Sequence, residues 1–246
     1  MSDARATSFG AAADHYEAAR PEYPFDAVAW MLENLPHGSR RIADVGAGTG
    51  KLTRVLVAAP DAEVVAIDPD PVMLAKLRES VPGVPTFTGT AEHLPLPDSG
   101  LDAVVLGQAW HWVDPVAASA EIGRVVRDGG TLGLIWNTRD GRVEWVRRLT
   151  AAMHPSVAEE LLEDEGPVVA APFGELESQR WEWIRPMTRA QLHRMAASRS
   201  YVITASEDEK RLIRRGMDTL FDEIGLDESG TIDVPYVTRA FRAVRG

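Results

Sequence analysis

Cysteine is absent from the 246 residues of the chain. This excludes disulfides, thiolate metal sites and a cysteine nucleophile. No apolar run approaches the roughly 20 residues of a membrane-spanning helix, and the opening MSDARATSFG lacks the apolar core of a signal peptide. The six histidines form no metal-ligand spacing. We therefore expect a cytoplasmic protein with no membrane partner and no metal site.

Basic residues are also few relative to acidic ones. The chain has 26 lysines and arginines against 37 aspartates and glutamates, a net charge of −11. A surface of this sign repels nucleic acid as a whole, so a polynucleotide substrate would need a local basic patch. No long basic tract is present, and we expect no nucleic-acid partner.

What the chain does contain is an alternation of short apolar runs and amphipathic segments. The pattern predicts strands at 41–48, 63–68, 86–89, 101–108, 131–136, 179–186 and 231–244. Helices are predicted at 24–35, 51–59, from Pro71, from Pro115 to 128–130, at 189–198 and at 207–224. Residues 139–175 are expected to be mostly helical or irregular. Alternating strands and helices indicate an α/β fold with a parallel sheet covered on both faces, and the absence of a linker predicts one domain over 1–246.

The segment IADVGAGTGK, residues 42–51, is the most informative stretch. A phosphate-binding P-loop needs a hydroxyl residue after its glycine and lysine, but Leu52 stands there. A dinucleotide fingerprint needs glycine at Lys51. Asp44, two residues before Gly46, is awkward for a pyrophosphate but suits a ligand with positive charge. S-adenosylmethionine has a sulfonium, an ammonium and no phosphate.

A second carboxylate supports a nucleoside ligand. Asp68 ends the next predicted strand, where it can accept hydrogen bonds from both ribose hydroxyls of an adenosine. Enzymes that use NAD have the same feature, so Asp68 alone indicates only a nucleoside. The alternative is that Asp68 merely caps a turn.

Longer motifs extend these observations to a family resemblance. The motifs are the segments DVGAGTGKLT, VVAIDPDPVMLAKLRE, GTAEHLPLPDSGLDAVVLGQAWHWVD and EIGRVVRDGGTLGLIW. In these segments the chain resembles class I S-adenosylmethionine-dependent methyltransferases of the methyltransferase domain 11 group. The match covers about 41–137. The lead-in FGAAADHYEAARPEYP is similar to the subgroup of trans-aconitate methyltransferases, and the C-terminal part resembles that subgroup more loosely.

The resemblance implies a Rossmann-like, seven-stranded, mostly parallel sheet with helices on both faces. The core would be about 38–137, and a helical cap would come from the N-terminal segment and about 138–246. It implies methyl transfer from S-adenosylmethionine to a small-molecule acceptor by in-line displacement. The expected reaction is O-methylation, with a carboxylate among the candidate acceptor groups.

The resemblance also implies cofactor contacts. Gly46 and Gly48 would pass beneath the methionine moiety and Asp44 would lie near its amine, while Thr90 stands where many relatives have an acidic residue. The full cofactor-binding set is Tyr16, Arg20, Asp44, Gly46, Ala47, Gly48, Asp68, Pro69, Met73, Thr90, Ala91, Glu92 and Gln108.

The acceptor side is expected beyond the fourth strand and in the cap. Trp110 and Trp112 would face the donor or pack just under it, and His111 could take a proton from the acceptor. His111 could equally be structural. Arg199 and Tyr201 are the candidates for an anionic acceptor, because guanidinium binds carboxylate in bidentate fashion.

Two other functions remain open at this stage. The chain could bind S-adenosylmethionine without catalysis, as a sensor or an activator, or it could be an NAD-dependent oxidoreductase. The spacing of the glycines and Asp44 disfavour the latter. The sequence does not identify the acceptor or the oligomeric state.

Overall fold

A computed structural model describes residues 21–36, 38, 40–163 and 166–246. The first half alternates helices and strands, in the order α1 (Phe25–Met31), β1 (Arg40–Val45), α2 (Lys51–Val57), β2 (Ala62–Asp68), α3 (Pro71–Ser80), β3 (Thr86–Thr88) and β4 (Leu101–Gly107). The second half adds a short 3₁₀ helix (Trp110–Trp112), α4 (Pro115–Val125), β5 (Val126–Arg139), α5 (Glu144–Met153), α6 (Val157–Glu163), β6 (Glu177–Thr188), α7 (Arg189–Ala197), α8 (Ser200–Thr204), α9 (Glu207–Glu223) and β7 (Thr231–Val244).

The described strands form one seven-stranded sheet in the order β3-β2-β1-β4-β5-β7-β6. The first five strands run parallel, and β7 is antiparallel to both β5 and β6. The seven predicted strands and the mostly parallel sheet are therefore confirmed. The strand order reverses between β1 and β4. In open α/β sheets, ligands bind at such a reversal, beyond the carboxyl ends of the strands.

Apolar clusters lie on both faces of the sheet. Successive residues of β5 alternate between them, because side chains along a strand point to opposite faces. Leu134 and Trp136 join the cluster that contains Ile122 of α4, whereas Ile135 joins the cluster that contains Met31 of α1. A third cluster, which we call the cap core, joins α5, α7 and α9 to β7 and has Phe221 fully buried within it.

Local capping explains where several helices begin. Asp70 accepts a hydrogen bond from the backbone N–H of Val72, with Pro71 in the first helical position of α3. Thr188 and Ser206 form reciprocal capping boxes at the starts of α7 and α9. Each of these starts is confirmed.

Other predicted boundaries were wrong. The helix from Pro115 ends at Val125 rather than near 128–130, because Val126 already pairs with Leu101 in the sheet. The helix predicted at 24–35 ends at Met31. The stretch 139–175, expected to be mostly helical or irregular, contains α5 and α6. None of the described helices is long and apolar enough to span a membrane.

Candidate active site

The loop between β1 and α2 brings bare backbone to the edge of the sheet. Gly46 has φ +69°, and a Cβ there would lie 2.7 Å from the Cβ of Ala109. Gly48 has φ +55°, and a Cβ there would meet nothing within 4 Å. The first glycine is therefore required by packing against the end of β4, whereas the second leaves open space beside the chain.

Asp44 lies beneath this loop and is fully buried. One carboxylate oxygen, Oδ2, accepts a hydrogen bond of 2.6 Å from the Thr53 hydroxyl. The other, Oδ1, is buried with no hydrogen-bond partner in the described part of the chain. Burial raises the pKa of Asp44 to about 7, against the hydrogen bond from Thr53. A cationic ligand group would satisfy both the orphaned acceptor and the charge.

Asp68 holds the glycine loop in place. Its two oxygens accept hydrogen bonds of 2.8 Å, one from the backbone N–H of Gly48 and one from that of Asp70. Burial raises the pKa of this carboxyl. A carboxylate offers about four lone-pair sites, so the two bonds leave capacity for ribose hydroxyls.

A cavity of about 370 Å³ opens against the loop. Its floor is Asp44, the segment 46–49, Lys51 and Leu52, together with Gly107 and Gln108 at the end of β4. Its roof is 154–160, between α5 and α6, and residues of α7 and α8. Because the floor lies at the sheet reversal and the roof comes from the cap, one enclosed space can hold both a cofactor end and an acceptor.

The segment after β4 lines the cavity with only part of its WHW motif. His111 and Trp112 border the cavity, but Trp110 is buried below it and donates its indole N–H to the Val168 carbonyl at 2.9 Å. Trp136 donates its indole N–H to Nδ1 of His111 at 3.3 Å. With Nδ1 accepting, the neutral imidazole carries its proton on Nε2.

The roof contains a buried cluster of three charges, which we call the Arg139–Glu159–Arg199 cluster. Arg139 at the end of β5 and Arg199 before α8 both bond the carboxylate of Glu159 in α6. All three side chains are at most 10% exposed and all three residues border the cavity. Burial raises the pKa of Glu159, but the two arginines outweigh this and hold it at about 2.

His154 connects this cluster to the rest of the roof. Its φ of +61° is unfavourable for a residue with a side chain. The conformation is held by its carbonyl, which accepts hydrogen bonds from Arg199 at 2.8 Å and from the Tyr201 hydroxyl at 3.3 Å.

Comparisons with known proteins identify the family of the chain. A family model described as a methyltransferase domain matches residues 43–134. An uncharacterised methyltransferase of Mycobacterium tuberculosis is 43% identical over 242 residues, covering 96% of this chain and 95% of the relative. The chain belongs to the class I S-adenosylmethionine-dependent methyltransferases.

Solved structures of other methyltransferases share the fold of this methyltransferase. A candidate type II methyltransferase from Anaeromyxobacter dehalogenans superposes with a TM-score of 0.66 at 24% identity, covering 92% of this chain and 97% of that one. The phosphoethanolamine N-methyltransferase 2 of Haemonchus contortus, in complex with S-adenosyl-L-methionine, gives a TM-score of 0.53 at 15% identity, covering 96% of this chain and 57% of that one. The family favours methyl transfer over the sensor and the NAD-dependent alternatives.

Many of the residues predicted for the methyltransferase site come together around the cavity. Those that line it are Asp44, Gly46, Ala47, Gly48, Gln108, His111, Trp112, Arg199 and Tyr201. Tyr16 and Arg20 lie outside the described residues. Gln108 adopts φ +56° and donates its side-chain amide to the Asn137 carbonyl at 2.7 Å, which leaves its own backbone carbonyl uncommitted by that bond.

The remaining predicted residues do not line the cavity. They are Asp68, Pro69, Met73, Thr90, Ala91, Glu92 and Trp110. Met73 and Ala91 are buried, Thr90 forms a bridge with His93, and Glu92 accepts the backbone N–H of Asp114 at 3.0 Å. Trp110 takes the second of its two expected positions: its ring is a core side chain beneath the cavity, so the proposed contact with the acceptor is left to Trp112, the tryptophan that borders the cavity.

Sequence reasoning missed Arg139, Glu159 and His154. Arg139 ends β5, and the carboxyl end of a parallel strand was a usable signal for it. Glu159 and His154 lie in the unassigned stretch 139–175, and no motif distinguishes either of them. Among the described residues, no group of three or more histidines and carboxylates could hold a metal ion.

Proposed function

We propose that the cavity binds the methionine end of S-adenosylmethionine and that the enzyme transfers its methyl group to a small anionic acceptor. The observation that carries this is Asp44, which borders the cavity next to open backbone at Gly48 and whose buried Oδ1 has no hydrogen-bond partner in the described part of the chain. A buried carboxylate oxygen without a donor fits the ammonium of the cofactor and disfavours a pyrophosphate.

The rest of the cofactor would extend from the loop toward β2. The two free lone-pair sites of Asp68 suit the ribose hydroxyls, with Pro69 and Met73 beside the adenine. Thr90, Ala91 and Glu92 would border the adenine edge, where the backbone amide of Ala91 replaces the acidic side chain of many relatives. The carbonyl of Gln108 would accept from the amine.

The cofactor supplies a methyl group already activated by its sulfonium for in-line displacement. The chain supplies alignment and exclusion of water. Trp112, at the cavity wall, can stabilise a nearby cation through its ring face by about 0.5–2 kcal/mol. The roof from α6 to α8 closes the site over both reactants.

A carboxylate is the acceptor group that suits this cavity. It needs no base, because it is ionised at neutral pH. His111 already accepts at Nδ1 from Trp136, so its neutral form would present an N–H donor rather than a free base. Arg199 in the roof adds the positive charge that would orient a carboxylate, and the Tyr201 hydroxyl would donate to it on leaving the His154 carbonyl. A hydroxyl acceptor would instead require His111 as the base.

Calorimetry on the purified protein tests the cofactor. We expect S-adenosylmethionine and S-adenosylhomocysteine to bind and NAD not to bind. Binding of NAD alone would overturn the proposal.

A screen with radiolabelled S-adenosylmethionine tests the acceptor class. It should contain small carboxylic acids, phenols, amines, RNA and DNA. We expect label in the acids as a base-labile ester and none in the polymers. Label in RNA or DNA, with none in small molecules, would contradict the acceptor class but leave the cofactor assignment intact.

A further inference from the structure

The Arg139–Glu159–Arg199 cluster has more positive than negative charge in a place with little water. Two guanidinium groups share one carboxylate, and all three line the cavity. The cluster therefore has a net charge of +1. Asp44 and Glu160 also border the cavity, but among the described residues Glu159 is the only carboxylate that acts on Arg139. A buried charge without a counter-ion is strongly unfavourable, so this end of the cavity favours one further anion.

The hydrogen bonds of each arginine show which of its donors are already committed. Arg199 directs its donors to Glu159 and to the His154 carbonyl. Arg139 bonds Glu159 and the Thr150 hydroxyl, but its Nε is buried and has no hydrogen-bond partner in the ranges that the structure describes. Burial, and then the charge of Arg199, lower the pKa of Arg139, as expected for a cation short of negative neighbours.

Glu159 is anchored independently of the arginines. Its Oε2 accepts hydrogen bonds of 2.8 Å from both the backbone N–H and the hydroxyl of Ser156. This carboxylate is therefore a fixed part of the roof, and an incoming anion adds to it instead of replacing it.

We propose that Arg139 and Arg199 form a subsite for an anionic group of the acceptor, and that Glu159 limits its capacity to a single negative charge. The inference rests on the proposed function and defines its substrate class further. A bound group with one negative charge neutralises the cluster, a neutral group leaves it at +1, and a group with two negative charges gives an excess of negative charge.

Binding of small carboxylates to the complex with S-adenosylhomocysteine tests the subsite. The probes are butyrate and benzoate, their amides, and the dianions glutarate and phthalate, measured by calorimetry at pH 7.5. In the wild-type protein we expect at least one monoanion to bind about tenfold or more tightly than its amide, because a charge-assisted pair is lost in the amide. The matching dianion should bind no more tightly than the monoanion.

Three variants separate charge from shape. Arg199→Gln should weaken the monoanion about tenfold or more and leave its amide unchanged. Glu159→Gln raises the cluster to +2 and should tighten the dianion by about tenfold or more. This gain in affinity cannot arise from misfolding. Arg189→Gln is the matched control, because Arg189 is a buried arginine at the start of α7 that pairs with Asp218 and Asp222 away from the cavity; it should leave every probe unchanged.

The outcomes distinguish this inference from the proposed function. Failure of S-adenosylhomocysteine to bind the wild-type protein would count against the proposed function. If it binds, three results would overturn the subsite: no carboxylate binds, amides bind as well as acids, or Glu159→Gln and Arg199→Gln both leave the anion affinities unchanged.

Discussion

At the scale of single residues, Asp44 links cofactor affinity to pH. Its pKa is about 7 in the free protein because burial disfavours the carboxylate. A bound cation would lower that pKa, so above pH 7 the group is ready to bind and below pH 7 a proton must first leave. We expect the Kd for S-adenosylmethionine to rise about tenfold per pH unit from pH 7 down to 5.5.

Calorimetry across pH 5.5–7.5 measures this, because the ligand's own amine, which titrates near pH 8, stays mostly protonated over this range. Asp44→Asn is the control: it should bind more weakly at pH 7.5 and lose the dependence on pH. A flat wild-type profile would show that Asp44 does not face the cation.

Asp68 is the second residue whose role can be measured. Because its carboxylate also holds Gly48 and Asp70, Asp68→Ala should weaken cofactor binding by roughly 1.5–3 kcal/mol through both the ribose and the loop. The 2′,3′-dideoxy analogue of S-adenosylhomocysteine separates the two effects. The wild-type protein should prefer the natural ligand, and Asp68→Ala should lose that preference. An unchanged preference in the variant would mean that the ribose is held elsewhere.

At the scale of elements, Gly48 is the position of the β1–α2 loop where substitution should affect the ligand and not the packing. Gly48 and Gly129 both have positive φ, +55° and +74°, and a Cβ at either would meet nothing within 4 Å. Changing either residue to alanine should therefore destabilise the protein similarly, by about 1–2 kcal/mol. Only Gly48→Ala places a methyl group where the cofactor would approach the backbone, and it should weaken S-adenosylhomocysteine binding about tenfold or more.

Thermal unfolding and calorimetry on the two variants provide the comparison. Equal affinities for S-adenosylhomocysteine in Gly48→Ala and Gly129→Ala would place the ligand away from this loop.

At the scale of the whole molecule, the position of β7 predicts cooperative unfolding. This strand lies between β5, which belongs to the central sheet, and β6, which leads into the cap core. The cap therefore shares a continuous sheet with the cofactor-binding half, and we propose that residues 1–246 behave as one domain. Circular dichroism and tryptophan fluorescence should report a single coincident thermal transition.

Phe221→Ala in the cap core sharpens this test. The side chain is fully buried, and its truncation should lower the common midpoint through a loss of about 3–5 kcal/mol. Two separated transitions, with only one moved by the substitution, would mean that the cap folds independently.

The features predictable from sequence are those with local causes. The strand and helix alternation follows from hydrophobic period, and the starts of α3, α7 and α9 follow from capping residues adjacent in sequence. The end predicted for α4 near 128–130 was wrong, because the long-range pairing of Val126 with Leu101 ends the helix at Val125. Local propensity carries no information about such a pairing.

The sequence by itself determined the parallel sheet, the glycine loop and the placement of Asp44 beside that loop, since each depends on residue types at fixed short spacing. Only the tertiary structure decided that Trp110 is core, that His111 accepts from Trp136, and that Arg139, Glu159 and Arg199 share one buried cluster. The physical reason is that these contacts join residues 20 to 60 positions apart. Pairing of β4 with β5 brings His111 to Trp136, and packing of the cap over the sheet brings Glu159 and Arg199 to Arg139.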